Sequence, residues 1–124
     1  MSPYPGMDKS IRLYEEGVEL ARKEQWAAAR PVLERSWAVW PHGKTAYWIS
    51  KCAEAQDDQT TAFTYAAAAY ALGGITDSIS VQFARQAAMR YEERRGRDVL
   101  LETLRRNPTY GPAKQLAEDW GLEA

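Results

Sequence analysis

Prolines and glycines gather at a few places in this chain, and the stretches between them are almost wholly helix-forming. Pro3, Pro5 and Gly6 stand at the start. Pro41 with Gly43, Gly73 with Gly74, and Pro108 with Gly111 and Pro112 mark three later breaks. In between, Ala, Glu, Arg, Leu and Gln dominate, and the β-branched residues show no strand-like alternation. Such a chain reads as short helices joined by tight turns. Links of about two to six residues force consecutive helices to pack antiparallel.

Seven helices are expected. The first runs from Ser10 to Glu24, with Ile11, Tyr14, Val18 and Ala21 on one face and Asp8 or Ser10 as its cap. The second runs from Trp26 to Trp40, and Pro31, which has no N–H, predicts a kink or a late start. Lys44 to Ala55 is the third. The fourth, Thr60 to Leu72, follows an Asp57 or Asp58 cap and is rich in alanine, so neighbouring backbones can approach it closely. A fifth is expected from Asp77 or Ser78 to about Arg95, ended by Gly96, and a short sixth from Asp98 to Arg106. Pro112 suits the first turn of a last helix carrying Leu116, Ala117 and Trp120.

The punctuation is periodic. Pro41 and Pro108 lie 67 positions apart, room for one unit of 33 residues and one of 34, and Gly74 stands where the middle closing residue belongs. Leu13, Gly17, Leu20, Ala29, Leu33, Ser36 and Pro41 make a pattern of large and small residues. Phe83, Ala84, Ala87, Gly96, Leu100 and Pro108 repeat part of it, and Ile49, Ser50, Ala53, Ala62, Ala66 and Ala69 repeat it loosely. In this the sequence resembles the tetratricopeptide repeat family. Trp26 stands at the aromatic position opening the second helix of a unit, whereas Glu16 replaces a usual apolar residue. The fold that this resemblance implies is all-α, with antiparallel helix pairs stacked as a short right-handed superhelix. The expected organisation is a flexible leader over residues 1–8 and a single domain over 9–124. Its repeats would fall at about 10–42, 43–76 and 77–110, with a capping helix at 112–120. One helix pair cannot bury its apolar face alone, and stacked pairs can.

In that family the first helix of each pair lines a concave groove. The resemblance places Tyr14, Val18 and Arg22 there from the first unit, Tyr47, Trp48 and Lys51 from the second, and Gln82, Arg85 and Met89 from the third. Aromatic and arginine side chains often carry interface energy, so this set implies a groove for a protein or peptide partner of acidic and apolar character. The same aromatics could instead be packing residues, and the three basic groups could pair with Glu15, Glu19 and Glu54. The two-carboxylate clamp of chaperone-docking members would need Lys, Asn and Arg where this chain has Tyr14, Val18, Trp48, Ser78 and Gln82. That subtype is set aside. Trp37 and Trp40, three apart, read as core or as a convex patch for self-association into a homo-oligomer.

Composition removes other classes. With 16 basic and 17 acidic side chains the chain lacks the basic excess of a nucleic-acid binder, and the arginines between Arg90 and Arg106 are diluted by Glu92, Glu93, Asp98 and Glu102. His42 is the only histidine and Cys52 the only cysteine, and neither has neighbours at metal-ligand spacing. Gly73-Gly74 lacks the Lys-Ser/Thr of a phosphate loop, and the paired glutamates read as solvated helix faces. No cofactor, metal or catalytic constellation is expected, so the chain is read as a non-enzyme. No apolar stretch approaches the ~20 residues needed to cross a bilayer. The N-terminus lacks the pattern of a secretory signal, and a lone cysteine suits a reducing compartment, so the expected location is the cytoplasm. The function expected is a scaffold or interaction module. The alternatives are a small repeat chaperone shielding an apolar client segment, and a self-assembling subunit.

Overall fold

The computed structural model describes residues 6–73, 76–90 and 92–122. Among these, seven helices follow in order: α1 (Met7–Arg22), α2 (Trp26–Val39), α3 (Gly43–Ala55), α4 (Gln59–Gly73), α5 (Asp77–Met89), α6 (Glu93–Arg106) and α7 (Gly111–Asp119). There is no strand among the described residues. Links of three residues join α1 through α6, too short for anything but antiparallel neighbours. The closest packing is within the pairs α1–α2, α3–α4 and α5–α6. Between pairs, the backbones of α1 and α3 and of α3 and α5 come close, whereas among the described residues those of α2 and α4, and of α4 and α6, stay farther apart. The first helices therefore lie on the inside of a curve and the second helices outside.

The repeat is visible in the backbone itself. The N–H groups of Gln25, Asp58 and Glu92 each reach back five residues, to the carbonyls of Leu20, Ala53 and Ala87, at 3.0, 2.9 and 2.9 Å. This is the long bond of a Schellman turn, and it recurs at the expected spacings of 33 and 34. The residues before Gln25 and Asp58, Glu24 and Asp57, take the left-handed conformation (φ 60° and 61°) that the motif needs.

Each pair closes at an equivalent point. A Cβ on Gly17 would lie 2.5 Å from Leu33 Cγ, so α1 and α2 approach where a side chain is missing. In the second pair, the Ser50 hydroxyl donates to the Ala62 carbonyl at 2.7 Å. In the third, a Cβ on Gly96 would lie 2.6 Å from the Ala84 carbonyl oxygen. Further along the first pair, Ser10 Oγ donates to the Ser36 carbonyl at 3.0 Å and Ser36 Oγ donates to the Ser10 carbonyl at 2.8 Å, a buried reciprocal bridge.

Several expectations are corrected here. Gly96 does not end the fifth helix; it lies inside α6, at the crossing with α5. Accordingly α5 stops at Met89 and α6 has 14 residues, so the third pair matches the others in length. Pro31 does not delay α2, which already starts at Trp26; Ala29 and Leu33, both fully buried, anchor the helix on either side of it. Ser10 is not a cap, because α1 begins at Met7 after Gly6, whose left-handed φ of 83° admits an extra turn. Met7 and Asp8 are thus helical rather than leader, and residues 1–5 lie outside the described residues. Asp58 does cap α4, accepting from Thr61 N–H at 3.2 Å. The residue preceding α5 is Thr76, while Asp77 accepts from Asn107 Nδ2 at 3.0 Å.

The core runs along the stack. Val18, Ala21, Ala29, Leu33, Ile49 and Cys52 fill the first third, and Ala46, Ala69 and Ile79 the middle. At the far end Ala113, Leu116 and Ala117 of α7 cover Val81, Ala84, Leu100 and Leu104. Helix α7 thereby hides the apolar end of the third pair. Cys52 is fully buried. Burial pushes its thiol up from 9.0 to about 11, although Arg30 pulls the other way. Ellman's reagent at about pH 8 is expected to leave Cys52 unmodified in the native chain and to titrate one thiol in denaturant. The native fold holds this proton more tightly than the unfolded chain does. Stability from this group is therefore constant below pH 9.0 and falls as the pH rises through about 11, a slope that Cys52→Ala removes.

Candidate partner-binding surface

The inner face is built by α1, α3 and α5, and its centre is aromatic. Tyr47 and Trp48 are successive residues of α3 whose rings meet edge to face at 5.5 Å. The Arg22 guanidinium lies 5.8 Å above the Trp48 ring, a cation–π contact reaching across from α1. Tyr14, Lys44, Tyr47, Trp48, Thr76, Ser78 and Ile79 surround a depression of about 280 Å³ between the three helices. A second, mainly apolar depression of about 290 Å³ adjoins it, walled by Met7, Ile11, Tyr14, Trp40 and Thr45, with Glu15, His42 and Lys44 around it. Tyr14 and Lys44 line both, so the two lie side by side as a furrow. The His42 ring accepts from Lys44 N–H through Nδ1 at 3.2 Å, capping α3 beside the furrow.

Further along the same face the surface is polar. Glu54 accepts from Arg85 Nε at 3.1 Å and Nη2 at 3.0 Å, and from Gln86 Nε2 at 2.6 Å. Lys51 Nζ is 3.8 Å from the same carboxylate. Arg85 also donates to Gln82 Oε1, and Gln82 Nε2 donates to Ser50 Oγ at 3.0 Å, so the network continues down to the α3–α4 crossing. Burial, and then the Arg85 charge, hold Lys51 below the usual ammonium range, with Glu54 opposing. Burial and then Tyr110 push the Tyr47 phenol up.

The residues expected to line the groove divide accordingly. Tyr14, Tyr47 and Trp48 are half-buried around the furrow, with Arg22 exposed beside them. Lys51 and Arg85 share Glu54, and Met89 is 45% exposed at the end of α5. Two are not on the surface. Val18 is buried against Leu33 and Ile49 in the core of the first pair, and Gln82 is 2% exposed within the polar network. Glu19 pairs with Lys23 at 3.3 Å rather than with Arg22.

Of the two readings of Trp37 and Trp40, core or convex patch, the structure favours the first for Trp37 and separates the pair. Trp37 packs edge to face on Tyr65 at 5.5 Å and joins the first and middle thirds of the core. Trp40 lies one residue past α2 with an extended backbone (φ −152°, ψ 100°), so helical spacing no longer sets its direction, and it faces the apolar depression instead. Lys44 was not anticipated in the groove. Its place four residues before Trp48, one turn along the same helix face, is the signal that could have found it.

Among the described residues, no cluster of three or more His, Cys, Asp or Glu side chains could hold a metal ion. No described helix is long and apolar enough to cross a membrane.

No protein-family model matches this sequence, and no curated protein sequence matches it. In structure it is similar to the Yersinia enterocolitica type III secretion chaperone SycD, solved in complex with a peptide of the translocator YopD. The TM-score is 0.72 at 12% identity, over 90% of this chain and 86% of SycD. At that identity the likeness establishes the fold: an all-helical stack of antiparallel pairs.

Proposed function

We propose that this chain is a protein-interaction module of the tetratricopeptide type, holding a segment of a partner protein along the α1–α3–α5 face. The carrying observation is the furrow in which Tyr14, Tyr47 and Trp48 are flanked by Arg22 and Lys44. Apolar walls bordered by cations suit a segment that mixes apolar with acidic residues. The SycD likeness supports this reading, since that protein of the same fold is bound to a peptide. Within this class it favours a chaperone that shields a client segment. We further propose a cytoplasmic protein that is not an enzyme. Self-assembly is the weaker reading. Among the described residues the exposed large apolar side chains, Ile11, Leu72 and Met89, stand on three different helices, α1, α4 and α5.

Selection from a displayed peptide library, followed by calorimetry on the selected peptides, tests this directly. Trp48→Ala is expected to weaken a selected peptide by about tenfold or more, on the order of 1.4 kcal/mol, with helicity unchanged by circular dichroism. Binding unaffected by Trp48→Ala and by Tyr14→Ala would place the interaction elsewhere. Arg85 is a poor probe, because its bonds to Glu54 also hold α5 to α3.

A further inference from the structure

We propose that Lys51, beside Arg85, is the seat for one acidic side chain of the bound segment, two residues along from an apolar residue seated against Trp48. This rests on the groove reading above and names the chemistry that one part of the groove selects.

The polar cluster contains two cations and one carboxylate. Glu54 is mostly engaged by α5: Oε2 accepts from Arg85 Nε and Gln86 Nε2, and Oε1 accepts from Arg85 Nη2, so one carboxylate faces two cations. Arg85 is engaged on Glu54 and Gln82. Lys51 is left over. Its Nζ stands 3.8 Å from Glu54 Oε1, an ion-pair contact beyond hydrogen-bonding distance. Among the described residues its three donors have no acceptor, although the side chain is only 29% exposed. A half-desolvated ammonium with a net positive neighbourhood gains from an arriving carboxylate, which supplies both a counter-charge and a short charge-assisted hydrogen bond. The lowered Lys51 pKa, caused by burial and then by Arg85, reflects the same deficit.

Spacing fixes the companion residue. Lys51 follows Trp48 by three positions on α3, so their side chains start roughly 5–6 Å apart on one face. Alternate residues of an extended segment are about 6.6 Å apart and point the same way. An apolar residue on Trp48 and an acidic one on Lys51 are thus two positions apart in the partner.

The test uses two synthetic peptides, acetyl-Ser-Leu-Ser-Glu-Ser-amide and its Gln counterpart, titrated into isotopically labelled full-length chain. The Lys51 Cε and Trp48 indole signals are followed by NMR. Both signals are expected to shift to saturation with the Glu peptide, while the Gln peptide binds about fivefold more weakly and leaves Lys51 unmoved. Lys51→Met is expected to abolish that preference and Lys51→Arg to keep it. Glu54→Gln should tighten the Glu peptide, about two- to fivefold, because it removes a competing negative charge. A purely structural cluster would show the opposite sign for Glu54→Gln. Equal response of Trp48 to both peptides, with Lys51 silent, overturns the acidic seat and leaves the groove standing. Silence of both residues overturns the groove as well.

Discussion

Replacing Phe83 with alanine is expected to remove about 3–5 kcal/mol of folding free energy, the largest single effect in this molecule. Phe83 is fully buried on α5 and is held by three side chains from two neighbouring helices. Tyr70 of α4 stacks on it at 4.7 Å with an interplanar angle of 11°, and Phe63 lies at 6.4 Å. The Arg95 guanidinium of α6 sits 4.8 Å from the ring centre. The cavity left by alanine would therefore be walled by two helix pairs that cannot collapse independently, which places the loss at the upper end for a core aromatic. The ring contacts add to the burial. Chemical denaturation is the direct measurement. A midpoint shift worth less than about 1 kcal/mol would mean that the second and third pairs are not joined through this ring.

The second large effect has an unusual sign. Inside a helix, Gly→Ala ordinarily stabilises by about 0.5–1 kcal/mol, because alanine surrenders less backbone freedom. Gly96→Ala is expected to do the reverse. Its new Cβ would stand 2.6 Å from the Ala84 carbonyl oxygen and 3.3 Å from Ala88 N, and both obstacles are backbone. No rotamer change relieves such a contact, so α6 must move away from α5, at a cost of about 1–3 kcal/mol. A melting temperature lower by roughly 5–10 °C is expected for a domain of this size. The third pair should suffer first, seen as faster amide exchange in α6 and α7 than in α1 and α2. An unchanged or raised melting temperature would show that the two helices cross less closely than the backbone positions indicate.

Gly96 also shows where the sequence was ambiguous. Glycine is both a helix breaker and the residue that permits the closest helix contact. Local context favours the first role, since charged residues surround it from Glu92 to Asp98. The period favours the second, because Ala29 and Ala62 occupy the equivalent place in the other pairs and both are fully buried. The repeat register was the better guide, because it carries information about a partner helix that local propensity does not.

Legibility of the candidate site was uneven in a similar way. The sequence leaves Tyr14, Tyr47 and Trp48 open between groove and packing, and in the structure they are half-buried on α1 and α3, against the core and beside the furrow. Helix α5 is different. It packs against α3, α4, α6 and α7, and the residues from Ile79 to Phe83 are buried in an unbroken run. A helix enclosed on so many sides has no outward stripe for a 3.6-residue period to reveal. Gln82 was accordingly misread as groove surface, although its amide lies beneath that surface joining Ser50 to Arg85.

What the sequence determined alone is the part governed by neighbours along the chain: seven helices, three pairs, turns at spacings of 33 and 34, and a last helix opened by a proline. Capping, breaking and periodicity act within about one helical turn, and they leave their mark in composition. Only the tertiary structure decided which side chains remain available to a partner. It sent Trp37 inward and turned Trp40 toward α1. It also gave the hydrogen bonds of Glu54 to Arg85 and Gln86, leaving Lys51 a longer ion-pair contact with that carboxylate. Those outcomes depend on contacts between residues far apart in the chain, 28 positions for Trp37 and Tyr65 and 31 for Glu54 and Arg85, set by how closely small residues let the backbones approach.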